Sequence, residues 1–211
     1  MKAALFVFLA GFAASCAAAP LVRDLGHGLV YLRIAQLPDD LPSKQIAEAG
    51  KPLVLDLRFA RTEADPANTF GAWLKSRANP AAPISILTNA ETSPFLLLQL
   101  ATPSLPTGVI TQGPASNGFS PDIEVPVTPE ADRRAYDALA AGISIADLVT
   151  PPLDKPRHDE ALLARQYSTG SDEEETQAPA PGAKRVPPTE DLVLARAIHL
   201  HRALLALHRV R

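Results

Sequence analysis

A single cysteine, Cys16, leaves nothing to pair in a disulfide and no thiolate set for a zinc site. Basic excess is missing too. The formal net charge is -3 with acids and bases interspersed, which excludes a protein built to neutralise a nucleic-acid backbone. Neither GxxxxGK[ST] nor GxGxxG occurs, so no phosphate-cradling loop is written into the chain. No repeat appears at solenoid periods, and aromatic residues make up only 5%. What is present is proline, 21 residues against 11 glycines, in a chain of 211 that is 46% hydrophobic. That length suits one domain with tails, and the proline share points to rigid loops and an unstructured segment.

The first residues read as an address. Lys2 precedes an apolar run from Ala3 to Phe12, then the small residues Ala13 to Ala19. This is a charged start, a short hydrophobic stretch and a small-residue cleavage zone, too short to cross a bilayer. Residues 1–19 are therefore expected to be a signal peptide, and the protein to be exported to the periplasm or cell envelope. Ala13-Ala14-Ser15-Cys16 also resembles a bacterial lipoprotein box, with alanine where leucine is usual. In one alternative Cys16 carries the lipid and is the chain's membrane attachment; in the other it is lost with the leader.

Beyond the leader the pattern alternates strand and helix. Gly28 to Ile34 and Pro52 to Arg58 read as strands, the second so continuously apolar that both its faces must be covered. A short helix is expected from Asn68 to Arg77, a strand at Ile84 to Thr88, a leucine-rich helix near Ser93 to Ala101 and a strand at Gly108 to Thr111. Pro121 to Val127 is extended. Thr128-Pro129-Glu130 opens a helix that closes at Gly142, and a helical turn follows at Ile145 to Val149. Such alternation predicts an α/β fold with a mainly parallel sheet. The expected domain spans residues 20–157, an acidic proline-rich linker 158–188 and an amphipathic helix 189–211. That helix must pack on its own core or on a partner, which includes self-association between copies.

Several of these segments, in this order, resemble the tail-specific (C-terminal processing) serine proteases of the crotonase-like superfamily. The strand Gly28 to Ile34 is similar to the family's GYIRI, Leu53 to Arg58 to its strand ending in DLR, and Ile84 to Asn89 to its strand ending in asparagine. Pro121, Asp122 and Val125 match a "PD-x-x-V" strand. The resemblance implies a crotonase-like βαβ core, and a groove beside the turn after Asn89 for a peptide.

The family's chemistry does not come with it. Phe59-Ala60-Arg61 stands where the family has asparagine and paired glycines, and Pro94-Phe95-Leu96-Leu97 where it has the nucleophile and a glutamate. Its catalytic lysine has no counterpart between Thr88 and Asp132; Ser116-Asn117-Gly118 fills that loop. The resulting expectation is a noncatalytic envelope protein that binds or scaffolds a peptide or protein partner, with Asn89, Thr92, Ser93 and Asn117 as binding residues. No cofactor, metal or nucleic acid enters this reading.

The alternative is a divergent serine hydrolase using Ser93 with a histidine base such as His27 or His158; ahead of Pro94, Ser93 or Thr92 reads first as a helix N-cap. Asp56 and Arg58 alternate with leucines, share one face, and read as a structural ion pair. Asp39-Asp40 reads as loop-solvating charge, and His199, His201 and His208 as surface or boundary histidines, since none shows metal-ligand spacing.

Overall fold

A computed structural model describes residues 20–41, 50–101, 105–116, 118–150 and 189–210. The leader with Cys16, the loop residue Asn117, His158 and the linker 158–188 lie outside the described residues.

Six strands form one sheet in the order β1-β2-β3-β4-β5-β6: Val22–Asp24, Val30–Arg33, Leu53–Asp56, Ile84–Leu87, Val109–Gly113 and Ile123–Glu124. The first pair is an antiparallel hairpin and every later pairing is parallel. The mainly parallel α/β architecture read from the sequence is thus the one observed. The sequence pattern missed β1, because three exposed residues on a sheet edge carry no apolar alternation.

Two helices serve as crossovers, α1 (Ala64–Arg77) between β3 and β4 and α2 (Pro94–Leu100) between β4 and β5. Strands laid down in sequence order by right-handed crossovers keep both helices on one face. There Phe70, Leu74, Leu96, Leu97 and Leu100 pack against Leu32, Leu53, Leu55, Ile84, Ile86 and Val109.

The other face would be bare without the rest of the chain. Helices α3 (Pro129–Ala140), α4 (Ile145–Val149) and α5 (Leu192–Ala206) return to cover it. Leu139, Leu148, Val193, Leu194, Ala197 and Ile198 close over Tyr31, Val54 and Leu87. This explains why all four residues of β3 and of β4 are buried. The stripe expected on the C-terminal helix is taken up by the chain's own sheet, with His201 buried in line with it and Leu207 exposed. The surface reading of His201 is therefore corrected: its Nε2 lies 3.1 Å from the His27 carbonyl oxygen.

Asp40 is also corrected. It is buried, and one carboxylate oxygen accepts the backbone N–H groups of Ala35 (2.8 Å) and Gln36 (2.9 Å). It therefore shapes the turn after β2 rather than solvating it.

At the end of β5, Gly113 has φ +150°, and a Cβ there would overlap the carbonyl oxygen of Thr88, the residue after β4. Replacing it by alanine is expected to destabilise the fold by more than about 1 kcal/mol, read as a lowered midpoint in urea unfolding.

Candidate binding site

Two residues past β3, the Arg58 guanidinium is fully buried on the helix-covered second face. Its Nε donates to Asp56 Oδ1 (2.9 Å) and its Nη2 to Asp56 Oδ2 (2.7 Å). Asp191, the N-cap of α5, accepts from Nη1 at Oδ1 (3.0 Å) and from Nη2 at Oδ2 (2.8 Å). Nη1 also donates to Asp132 Oδ1 on α3 at 2.8 Å. Every N–H of the guanidinium is engaged, two carboxylates bidentately.

A second ring of polar groups holds the acids. The Tyr31 hydroxyl donates to Asp56 Oδ2 (2.6 Å), and Arg33 Nε donates to the Tyr31 oxygen (3.2 Å). The Arg33 guanidinium lies 3.6 Å from the centre of the Tyr136 ring and donates to the Tyr136 carbonyl oxygen. Asn89 Nδ2 donates to Asp132 Oδ2 at 2.8 Å, tying the turn after β4 to α3.

Sequence reasoning found Asp56 and Arg58 because two residues on one strand face share a side. Asp132 and Asp191 were missed, being 74 and 133 residues away along the chain. The signal that was present is the N-terminal position of each acid on a helix that must cover the sheet.

The charges are not balanced evenly. Burial pushes the Asp56 carboxyl up, but the Arg58 charge and hydrogen bonds from Arg58 and Tyr31 outweigh it and hold it below the ordinary value. For Asp132 burial prevails over the attraction of Arg58 and the Asn89 hydrogen bond, so its carboxyl lies above the ordinary value. Burial and the Asp56 charge raise the Tyr31 phenol, which stays protonated as a donor.

Asp132 and Asn89 also line a cavity of about 240 Å³ with Phe59, Ala90, Glu91, Pro114, Ala115, Val127 and Pro129. It sits where the chain leaves β3, β4 and β5, the carboxyl ends of the parallel strands, where open α/β sheets take ligands. Phe59 has φ +63°, the left-handed region that a non-glycine side chain adopts at a cost of about 1–2 kcal/mol. Its ring packs edge-on to Tyr136 with centroids 4.7 Å apart, and the Arg133 guanidinium lies 4.5 Å from its centre.

The structure separates the residues singled out from the sequence. Asn89 lines the cavity. Thr92 is turned inward, its hydroxyl donating to the Leu57 carbonyl (3.1 Å) and accepting the Asn89 N–H (3.0 Å). Ser93 occupies the N-cap position of α2 without a capping side-chain bond; its hydroxyl donates to the Thr62 carbonyl (3.2 Å). Neither hydroxyl is among the cavity's lining residues, and no histidine is. Among the described residues no group of three or more His, Cys, Asp or Glu is placed to hold a metal ion. No described helix is long and apolar enough to cross a membrane.

No protein-family model matches the chain, and no curated protein matches its sequence. Among solved structures, a candidate peptidase from Parabacteroides merdae is similar at 11% identity and a TM-score of 0.42, covering 60% of this chain and 65% of that one. A lipoprotein from Streptococcus agalactiae is similar at 18% identity and a TM-score of 0.32, covering 48% of this chain and 51% of that one. The chain thus spans less than two-thirds of the length of either.

Removing one partner of a buried pair leaves the other charge stranded. Asp191→Ala is expected to cost about 3–5 kcal/mol in urea unfolding, whereas Asp137→Ala, which breaks the exposed pair with Arg133, should cost less than about 0.5 kcal/mol.

The two shifted aspartates act oppositely on stability against pH. The Asp56 contribution is complete above the ordinary 3.8 and is lost as pH falls through its lower folded value. On acidification the folded protein protonates Asp132 before the unfolded chain does, so stability gains between the raised value and 3.8. Asp132→Asn should lack that gain. Urea unfolding at falling pH, from neutrality to about 4, should show the wild type improving relative to the variant.

Proposed function

We propose that the protein is an exported, noncatalytic relative of the tail-specific proteases that binds a peptide or protein partner at the cavity beside Asn89. The observation that carries this reading is the lining itself. Its side chains are two carboxylates, one amide and apolar groups, with no serine, threonine, cysteine, histidine or lysine among the described residues. Acyl transfer needs an attacking group and a base to take its proton. The hydroxyls of Thr92 and Ser93 are instead bonded to backbone carbonyls outside that lining.

Size favours a peptide over a free small molecule. Pockets that enclose whole ligands run from about 300 to 1,000 Å³, while this one, at about 240 Å³, suits one or two side chains of something larger. Export is supported by the leader pattern of residues 1–19, in which Cys16 is either a lipid attachment point or part of the discarded peptide.

The test is selection from a displayed random-peptide library on the wild type and on Ala115→Trp, which fills the cavity. Selected peptides should bind the wild type with a Kd of about micromolar and lose tenfold or more, by that same order-of-magnitude scale, in the variant. Sequences that bind both proteins equally would remove the cavity from the reading. Stoichiometric labelling by a fluorophosphonate, abolished in Ser93→Ala, would replace binding by the serine-hydrolase alternative.

A further inference from the structure

We infer that the cavity captures a basic side chain, an alkylammonium or alkylguanidinium group presented by the peptide. This rests on the reading of the cavity as a peptide site and names what that site recognises. Two features of the lining point to it together. The walls supplied by Phe59, Pro114, Ala115, Val127 and Pro129 are apolar, while every charged lining residue, Glu91 and Asp132, is acidic.

The two acids are not equivalent. Asp132 already has one oxygen on Arg58 and the other on Asn89. Glu91 is exposed and its carboxylate makes no ion pair among the described residues. The neighbouring cation Arg133 lies over the Phe59 ring and its Nε donates to Asp137 at 3.2 Å, so it makes no ion pair with either lining acid. Apolar walls ending in an unpaired carboxylate match a side chain with a methylene stem and a cationic tip, which buries the first and keeps the second at a polar partner. A neutral aliphatic group would fill the walls and leave Glu91 unanswered. An anionic group would be repelled by Glu91.

Backbone amide shifts of Ala90, Glu91 and Ala115, followed by two-dimensional NMR on the full mature chain, test this with four small probes. Butylguanidinium and butylammonium should bind with a Kd of about millimolar, in keeping with so few heavy atoms. Butylurea, of nearly the same shape without charge, should bind about fivefold more weakly, and pentanoate more weakly still. Glu91→Gln should weaken both cations about three- to tenfold and leave butylurea unchanged. Because Glu91 is exposed, that variant is expected to fold as the wild type does. Equal binding of butylguanidinium and butylurea, or cation binding untouched by Glu91→Gln, overturns the inference and leaves a site that reads shape alone. Preferential binding of pentanoate overturns it as well. If no probe moves those amides the inference also falls, and the displayed library then decides separately whether the cavity binds peptides at all.

Discussion

A guanidinium with no access to water stays buried only if carboxylates and hydrogen-bond acceptors replace its whole hydration shell. Arg58 meets that condition through Asp56 at the end of β3, Asp132 on α3 and Asp191 at the start of α5. Those three attachments join the sheet to two of the helices that cover its second face. The hydrophobic contacts of that face are non-directional, and they would accept small rotations or slips of α3 and α5. Five directed hydrogen bonds from one planar group do not. The ion cluster therefore sets where the two helices lie, and the apolar packing supplies most of the reason for them to be there.

The cluster has a surplus of negative charge: three carboxylates face Arg58, with Arg33 contributing through Tyr31 and the Tyr136 ring. That surplus is distributed by position. Asp56 is closest to both cations and to a phenolic donor, so its ionised form is favoured. Asp132 has a single guanidinium contact and one amide donor against its burial, so its ionised form is the costlier one. Of Asp56 and Asp132, the one whose carboxyl is raised is the one that also lines the cavity.

Much of the sheet was legible because β3 and β4 are nearly continuous apolar runs, interrupted only by Asp56 and Ser85, as expected of parallel strands covered on both faces. The helix beginning after Thr128 was legible from its cap: the Thr128 hydroxyl accepts the Ala131 N–H, with Pro129 in the first turn. The site was less so. Asp56 and Arg58 advertise a shared face at a separation of two, but nothing local marks Asp132 or Asp191 as their partners, since only closure of the second face brings them within reach. His201 sits in an apolar stripe with an imidazole where a leucine would serve, and its partner, the His27 carbonyl, belongs to a hairpin turn at the opposite end of the chain. Phe59 shows the limit most clearly. Its side chain argues against a left-handed backbone, and the backbone is left-handed nonetheless. The Asn89 side chain accepting its N–H, the Tyr136 edge contact and the Arg133 cation over its ring together offset a local preference that sequence reasoning can only apply one residue at a time.

The same bonds that build the cavity also restrain the groups around it. Asn89 serves four neighbours: its side-chain amide donates to Asp132, its Oδ1 accepts the N–H groups of Phe59 and Glu91, and its backbone N–H donates to the Thr92 hydroxyl. Asp132 keeps an acceptor site on each oxygen beside its bonds from Arg58 and Asn89, yet no described residue of the cavity lining carries a hydroxyl, thiol or amine whose proton it would take. For Thr92 or Ser93 to attack, each would have to leave a backbone carbonyl and turn toward a space it does not line. Glu91 alone can meet an incoming group without breaking an ion pair among the described residues. A rim carboxylate above largely apolar walls is in keeping with the binding role proposed for the cavity, because pre-formed geometry lowers the entropy cost of holding a partner.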